Sequence, residues 1–312
     1  MCTAIAYRCD DVYFGRNLDL ERGYNERVVI TPRNYIFNMR CVKPITKHYA
    51  MIGMAAVIDN YPLYFEATNE AGLSVAGLNF PDNAVYNEPV SYKNNITPYE
   101  FIPWILAKCN SVANVRLLLA QINLVNINFK GDLPLTPLHW LISDTHQSIV
   151  VESVKDGLKI YDNPFDILTN NPPFDYHCIN LSNYMKLHPG PAKSEFNPSY
   201  PLQNYSLGMG AMGLPGDFSS TSRFVRGFFV KENSVAFSDE NSNVTQFFHI
   251  MNSVAMPKGC VQVGDAFEYT RYTCCCNVNK GIYYYNTYDM QEIVAINMHE
   301  VDLDGFISLD NR

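Results

Sequence analysis

Apolar runs broken by short polar turns begin at the first residues of the chain. Positions 2–7 (CTAIAY) are mostly apolar, Cys9-Asp10-Asp11 interrupts them, and 12–14 (VYF) resumes the run. Two apolar segments around a tight polar break predict a β-hairpin. Runs of the same kind recur at 27–31, 50–56, 63–66 and 73–78. The period then changes. Thr97-Pro98-Tyr99-Glu100 is a capping box with proline at the first helical position, and it opens a helix through Phe101, Trp104, Ile105 and Lys108. Pro103 inside that helix predicts a kink. Ser111 caps a second helix with Val115, Leu118 and Leu119 on one face. Strand-like runs return at 138–143, 148–152 and 158–161. Helices are expected at 219–230 and at 243–254, the latter with Val244, Phe247, Phe248 and Met251 spaced i, i+3, i+4, i+7. The chain closes on strands at 267–276, 281–288 and 292–298. The stretch 183–217 is rich in Pro, Gly, Ser and Asn and reads as a long loop or arm.

The order is strands, two helices, strands, two helices, strands. Hairpin-like spacing favours antiparallel pairing. The expected class is therefore α+β, with two antiparallel sheets and helices packed outside them. No linker divides the chain and no repeat is visible, so residues 1–312 are read as one domain. Thirteen per cent of residues are aromatic, which adds to the strand expectation.

Charge narrows the partners. The formal net charge is −8 and no block of Lys or Arg stands out, which argues against nucleic acid. No apolar stretch reaches 18 residues, and the start carries no basic leader before Asp10 and Asp11, so neither a spanning helix nor a signal peptide is expected. The expected location is cytoplasmic. Nine scattered cysteines, an odd number, speak against a disulfide framework.

Three chemical signals fall away on inspection. Gly208-x-Gly210-x-x-Gly213 has the letters of a dinucleotide fingerprint, but a polar, proline-broken segment precedes it and Pro215 follows where a helix should run. Cys274-Cys275-Cys276 lacks the spaced partners of a zinc site and fits small buried side chains instead. The seven histidines are scattered, with no G-x-S-x-G elbow to serve. Cys2 is different. Excision of Met1 would give one residue both a thiol and a free α-amine. The reference pKa values of these groups are about 8.5 and about 7.7–8.0. Nucleophile and base would then share a residue, and no separate histidine is needed.

Further motifs follow in order: Gly15-Arg16-Asn17-Leu18-Asp19; Glu70-Ala71-Gly72-Leu73 and then Gly77-Leu78-Asn79-Phe80; Leu168-Thr169-Asn170-Asn171-Pro172; and Ser219-Ser220-Thr221-Ser222-Arg223-Phe224-Val225-Arg226. Together with the Met-Cys-Thr start, the set resembles the choloylglycine hydrolase family of N-terminal nucleophile hydrolases, over essentially the whole chain. The resemblance implies a four-layer αββα sandwich acting on linear amides without metal or cofactor. It implies Cys2 as nucleophile with its own amine as general base. Arg16 and Asp19 would orient thiol and amine. The Asn79 backbone N–H and the Asn170 side-chain amide would hold the oxyanion, and Arg223 would support the site. Asn170 is preferred over Asn171 because the family pattern places the amide directly after Thr.

Asn79 matches the family's bile salt hydrolases, whereas the penicillin V acylases tend to carry Tyr there. The implied substrate is a bile acid joined through an amide to glycine or taurine. A penicillin V acylase is the alternative, and a non-catalytic bile- or lipid-binding protein a more distant one. Position along the chain nominates Leu20, Tyr24, Tyr61, Phe65, Phe129, Leu133 and Leu135 for the apolar pocket. The resemblance also implies that the 183–217 arm embraces a neighbouring subunit in a homotetramer.

Overall fold

The computed structural model describes residues 1–305 apart from positions 132, 196 and 198. The last seven residues of the expected 1–312 domain, and two positions of the 183–217 arm, lie outside the described residues. The chain opens with β1 (Cys2–Arg8), β2 (Val12–Leu20), β3 (Arg27–Thr31), β4 (Met51–Ile58), β5 (Tyr61–Asn69) and β6 (Ser74–Asn79). A short β7 (Asn94–Ile96) leads to helices α1 (Phe101–Lys108) and α2 (Val112–Leu119). Then come β8 (Ile122–Leu124), β9 (Leu138–Ser143), β10 (Ser148–Val154), β11 (Gly157–Asp162) and β12 (Ile167–Leu168). Helices α3 (Phe174–Leu181), α4 (Ser220–Asn233) and α5 (Glu240–Asn252) follow. Strands β13 (Val261–Val263), β14 (Ala266–Asn277), β15 (Ile282–Thr287) and β16 (Val294–Asn297) end the described chain.

Two seven-stranded sheets form from these strands. The first runs β12-β1-β2-β14-β15-β16, with β13 added to β14; the second runs β11-β10-β9-β6-β5-β4-β3. Among the described residues every pairing in both sheets is antiparallel, while the small β7–β8 pair is parallel. One core fills the space between the sheets and continues under α4 and α5 through Phe224, Val244, Phe247 and Met251. A second core packs α1 and α2 on the outer face of the second sheet through Trp104, Ile105, Val115 and Trp140. The layers are helix, sheet, sheet, helix, as expected.

Burial on both faces explains the odd composition of the central strands. All but the last residue of β2 is buried, and so are Cys274, Cys275 and Cys276 of β14 opposite it. Side chains there must be small or fully partnered. Pro103 does not fall mid-helix. Residues 98–100 form a 3₁₀ turn and α1 begins at Phe101, so the proline lies in the first turn, where its missing N–H breaks no intrahelical bond. Glu100 accepts the Thr97 N–H at 3.1 Å, the reciprocal half of the capping box. The glycines at 208–213 open no βα unit: Met209–Ala211 is a 3₁₀ turn. Among the described residues no helix is long and apolar enough to cross a membrane.

Candidate active site

Cys2 is the first residue of β1 and is 3% exposed. Strand register decides what surrounds it. Cys2 pairs with Leu18 and Ala4 with Arg16. Side chains alternate along a strand, so Arg16 and Asp19, three apart, approach the N-terminus from opposite faces of the first sheet. Met1 continues the ladder by one step. Its carbonyl accepts the Asp19 N–H at 3.1 Å, and its ammonium donates to the Asp19 carbonyl at 2.8 Å and meets Glu268 Oε1. Burial lowers the pKa of this ammonium, against the opposing pull of Cys2 and Asp19.

Arg16 lies on the inter-sheet face and is fully buried. A β-bulge in β5 and the end of the β5–β6 ladder at Glu66↔Ala76 leave the carbonyls of Phe65 and Gly77 without strand partners. Arg16 Nη1 donates to both, at 2.9 and 2.7 Å. Its Nε lies 3.8 Å from the Glu66 carboxylate. Glu66 in turn accepts from Tyr272 Oη at 2.7 Å, Tyr283 Oη at 2.6 Å and the Met54 N–H at 3.2 Å. Burial pushes the Glu66 carboxyl up, with Arg16 pulling it back. Burial also works against the Arg16 charge, but Cys2, Tyr272 and Glu66 outweigh it, so the guanidinium stays protonated. Among the described residues, Arg16 Nη2 has no hydrogen-bond partner, and neither have Asp19 Oδ2 and Asn79 Oδ1.

The other face carries Asp19 and Arg223. Asp19 Oδ1 accepts from Thr270 Oγ1 at 2.6 Å, and burial raises its pKa while Arg223 and the terminal ammonium oppose the rise. Arg223, on α4, uses every nitrogen. Nε donates to the Phe218 carbonyl at 3.0 Å, Nη1 to the Cys2 carbonyl at 2.5 Å and Thr3 Oγ1 at 2.7 Å, and Nη2 to Asn170 Oδ1 at 2.8 Å. Burial lowers its pKa, with Asp19 and Cys2 resisting.

Asn170 joins the pieces. Its Oδ1 also accepts the Cys2 N–H at 2.8 Å, and its Nδ2 donates to the Asn79 carbonyl at 2.7 Å. Two donors on one amide atom and one acceptor on the other fix which way the amide points. One Nδ2 hydrogen remains beside the backbone of Asn79. The Phe80 N–H binds the Pro137 carbonyl, so by strand alternation the Asn79 N–H points the other way, where β5 has left the ladder. Ser220 holds the segment from α4: its Oγ accepts the Asn170 N–H at 2.8 Å and donates to Thr169 Oγ1 at 2.9 Å.

All six nominated catalytic residues thus meet at the start of β1. Of the pocket nominees, Leu20 and Phe65 pack on the inter-sheet core, and Tyr24 stands 6.2 Å from Phe65, ring to ring. Tyr61 does not join them. The bulge between Tyr64 and Glu66 reverses the alternation, and Tyr61 is buried in the helix-side core, 5.6 Å from Phe129 and 6.2 Å from Tyr99. Leu133 and Leu135 are half-buried on the loop before β9, where Asn128 Oδ1 accepts the Leu135 N–H at 3.2 Å. Sequence reasoning missed Ser220, Glu66, Tyr272 and Tyr283. The second serine of Ser219-Ser220 was the one available signal, since Ser219 alone caps α4. Among the described residues no group of His, Cys, Asp and Glu is placed to hold a metal ion.

Comparison with known proteins places the whole chain. The family model described as linear amide C–N hydrolases, choloylglycine hydrolase family, matches residues 2–308. A bile salt hydrolase/transferase of Lactiplantibacillus plantarum is 51% identical over 305 residues, covering 97% of this chain and 94% of the relative. A solved variant of the conjugated bile acid hydrolase from Clostridium perfringens superposes with a TM-score of 0.89 at 39% identity, covering 98% of this chain and 94% of that one. The penicillin V acylase from Agrobacterium tumefaciens, at 18% identity and a TM-score of 0.77, covers 97% of this chain and 88% of its own; it shares the fold.

Proposed function

This chain belongs to the choloylglycine hydrolase family of linear amide C–N hydrolases, and from that premise we propose that it cleaves the amide joining a bile acid to glycine or taurine. The observation that carries the proposal is the convergence of Arg223 and Asn170 on the carbonyl and the N–H of Cys2, with Asn170 Nδ2 joining them to the Asn79 backbone. With Met1 gone, the nitrogen that now donates to Asn170 becomes a free α-amine. The Cys2 thiol attacks the substrate carbonyl carbon and its proton passes to that amine. Negative charge develops on the carbonyl oxygen, against the Asn79 N–H and the free Asn170 Nδ2 hydrogen. Collapse breaks the C–N bond. The α-ammonium protonates the departing glycine or taurine nitrogen, leaving an acyl-thioester on Cys2. The amine then takes a proton from water, which hydrolyses the thioester and restores the thiol. Arg16, charged and aimed by Glu66, favours thiolate; Asp19 favours ammonium.

The apolar body of the substrate would lie against Leu20, Tyr24 and Phe65, with Phe129, Leu133 and Leu135 opposite and Tyr61 supporting Phe129 from below. Residues 1–312 would act as one domain. Tyr205 and Leu207 on the 183–217 arm are strongly exposed, which fits an arm that covers itself on a neighbour in a homotetramer. All nine cysteines are free thiols, which suits a reducing compartment, and we read the enzyme as cytoplasmic.

Release of glycine from glycocholate and of taurine from taurocholate tests the reading, alongside penicillin V hydrolysis. Turnover of the bile conjugates is expected, lost in Cys2→Ala and Cys2→Ser while the fold persists. A clear preference for penicillin V would overturn it. The intact mass of the active enzyme should be lower than the encoded chain by one methionine residue.

A further inference from the structure

Behind Thr169 and Asn170 lie two imidazoles that no step above uses. His139, on β9, directs Nε2 at the Thr169 carbonyl, and His177, on α3, directs Nε2 at the Asn170 carbonyl, each at 2.9 Å. A carbonyl only accepts, so in each ring Nε2 carries the proton and donates. Both rings are fully buried and lie nearly flat on a phenylalanine. His139 stacks on Phe80 at 4.2 Å and 4°, and His177 on Phe224 at 4.7 Å and 15°. Those phenylalanines directly follow Asn79 and Arg223 in the chain. Each imidazole therefore ties the backbone beside one site residue to the backbone at or beside Asn170. Glu152 Oε1 backs the pair: it lies 3.0 Å from His139 Nδ1 and accepts the Phe174 N–H, at the start of the helix that carries His177, at 3.1 Å.

Asn170 is thus gripped at both ends of its main chain, with the N–H on Ser220 and the carbonyl on His177. An oxyanion donor works only when it is fixed before charge develops, because reorganising it at that moment consumes the stabilisation. Planar side chains wedged between a phenylalanine and a carbonyl supply that rigidity better than water would. We propose that His177, with His139 beside it, is a positioning residue for the Asn170 amide, acting through the peptide carbonyl and never touching substrate. The inference rests on Asn170 being an oxyanion donor.

The test uses the full-length processed enzyme with glycocholate. In His177→Gln the amide nitrogen lies as many bonds from Cβ as Nε2 and can still donate to Asn170; in His177→Asn it falls short. The glutamine variant should keep kcat within about threefold of wild type, whereas the asparagine variant should lose roughly 10- to 100-fold in kcat with KM changed less than about threefold. In an Asn170→Ala background the His177→Asn change should alter kcat by less than about twofold, because the group it positions is gone. Where His177→Asn fails to fold by circular dichroism, His177→Phe, which keeps the stack on Phe224 and loses the donor, takes its place. Equal kcat in the donor and non-donor variants, or a full loss that persists without Asn170, would overturn the proposal while wild-type turnover leaves the amidase reading intact. A wild type inert toward bile conjugates would sink both.

Discussion

Acid should loosen this protein at His177. The ring is fully buried between Phe224 and the Asn170 carbonyl, and its pKa falls from the usual 6.5 to about 4. Burial is the largest cause. The bond to the Asn170 carbonyl works the other way, and the nearby His139 and Arg223 add to the lowering. In the unfolded chain the same ring titrates normally. Between those two values the unfolded chain therefore binds a proton that the folded chain refuses. The stability conferred by the neutral ring is fully present above pH 6.5 and drains away as pH falls toward the folded value. For one such proton the loss is about 2 kcal/mol at pH 5 and about 3 kcal/mol at pH 4.

His177→Gln isolates the effect, since it keeps a donor for Asn170 and removes the titration. Urea unfolding of wild type and variant, at fixed protein concentration from pH 7.5 to 4.5, gives two curves. Carboxylates common to both cancel in the difference. Wild type should lose about 2 kcal/mol relative to the variant between pH 7.5 and 5. Parallel curves across the range would refute the reasoning, because they would mean that the folded protein accepts a charged imidazole at no cost.

Four further outcomes are expected. Asn170→Ala should lower kcat for glycocholate by roughly 10²–10³, the usual cost of one oxyanion donor, as read in steady-state kinetics. Arg223→Lys should lower unfolding free energy by about 3 kcal/mol or more in urea titrations, because one ammonium cannot serve Cys2 O, Thr3 Oγ1, Asn170 Oδ1 and Phe218 O together. Trp140→Ala should cost about 3–5 kcal/mol by the same measurement, since Trp140 is fully buried and stacked on Phe101 at 4.1 Å, joining β9 to α1. Tyr205→Ser combined with Leu207→Ser should shift the enzyme to smaller species in sedimentation velocity, with the monomer fold unchanged by circular dichroism.

Much of the scaffold was legible because its signals are local. The runs at 27–31 and 138–143 coincide with β3 and β9, and Ser111 does accept the N–H three residues on, at 3.3 Å. The elements that escaped are those defined by distant partners. β12 is two residues long and exists because Ala4 and Ile5 pair with it. α3, which the sequence reading did not include, starts after Pro172-Pro173, and its N-terminus is held by Glu152 from β10. Position along the chain nominated Tyr61 and Phe65 together, and a single extra residue in β5 sends them to different cores.

The same distinction governs the site. Arg16, Asp19 and Arg223 were readable as charges in motifs, but the buried partners that surround each of them were not. Arg16 stays charged because the strand ladder ends beside it and Glu66 faces it. Glu66 in turn tolerates burial because two tyrosines on β14 and β15 donate to it. Neither tyrosine stands near Arg16 in sequence, so no local pattern marks them. The histidines illustrate the point further. Their scatter argued against a Ser–His pair, yet the fold brings two of them to adjacent carbonyls, one residue apart. A buried carbonyl needs a donor wherever the chain can supply one. In this protein the donors for Thr169 and Asn170 come from 30 residues upstream and 7 downstream. The Ser219–Arg226 motif is dense for the same reason. Ser220 meets the Asn170 N–H, Ser222 donates to Asp217, Arg223 reaches Cys2, Phe224 bears His177, and Arg226 donates to Ser253. The contacts of Ser220, Arg223 and Phe224 end on Asn170, Cys2 and His177, so one short stretch of α4 braces three separate segments at the site.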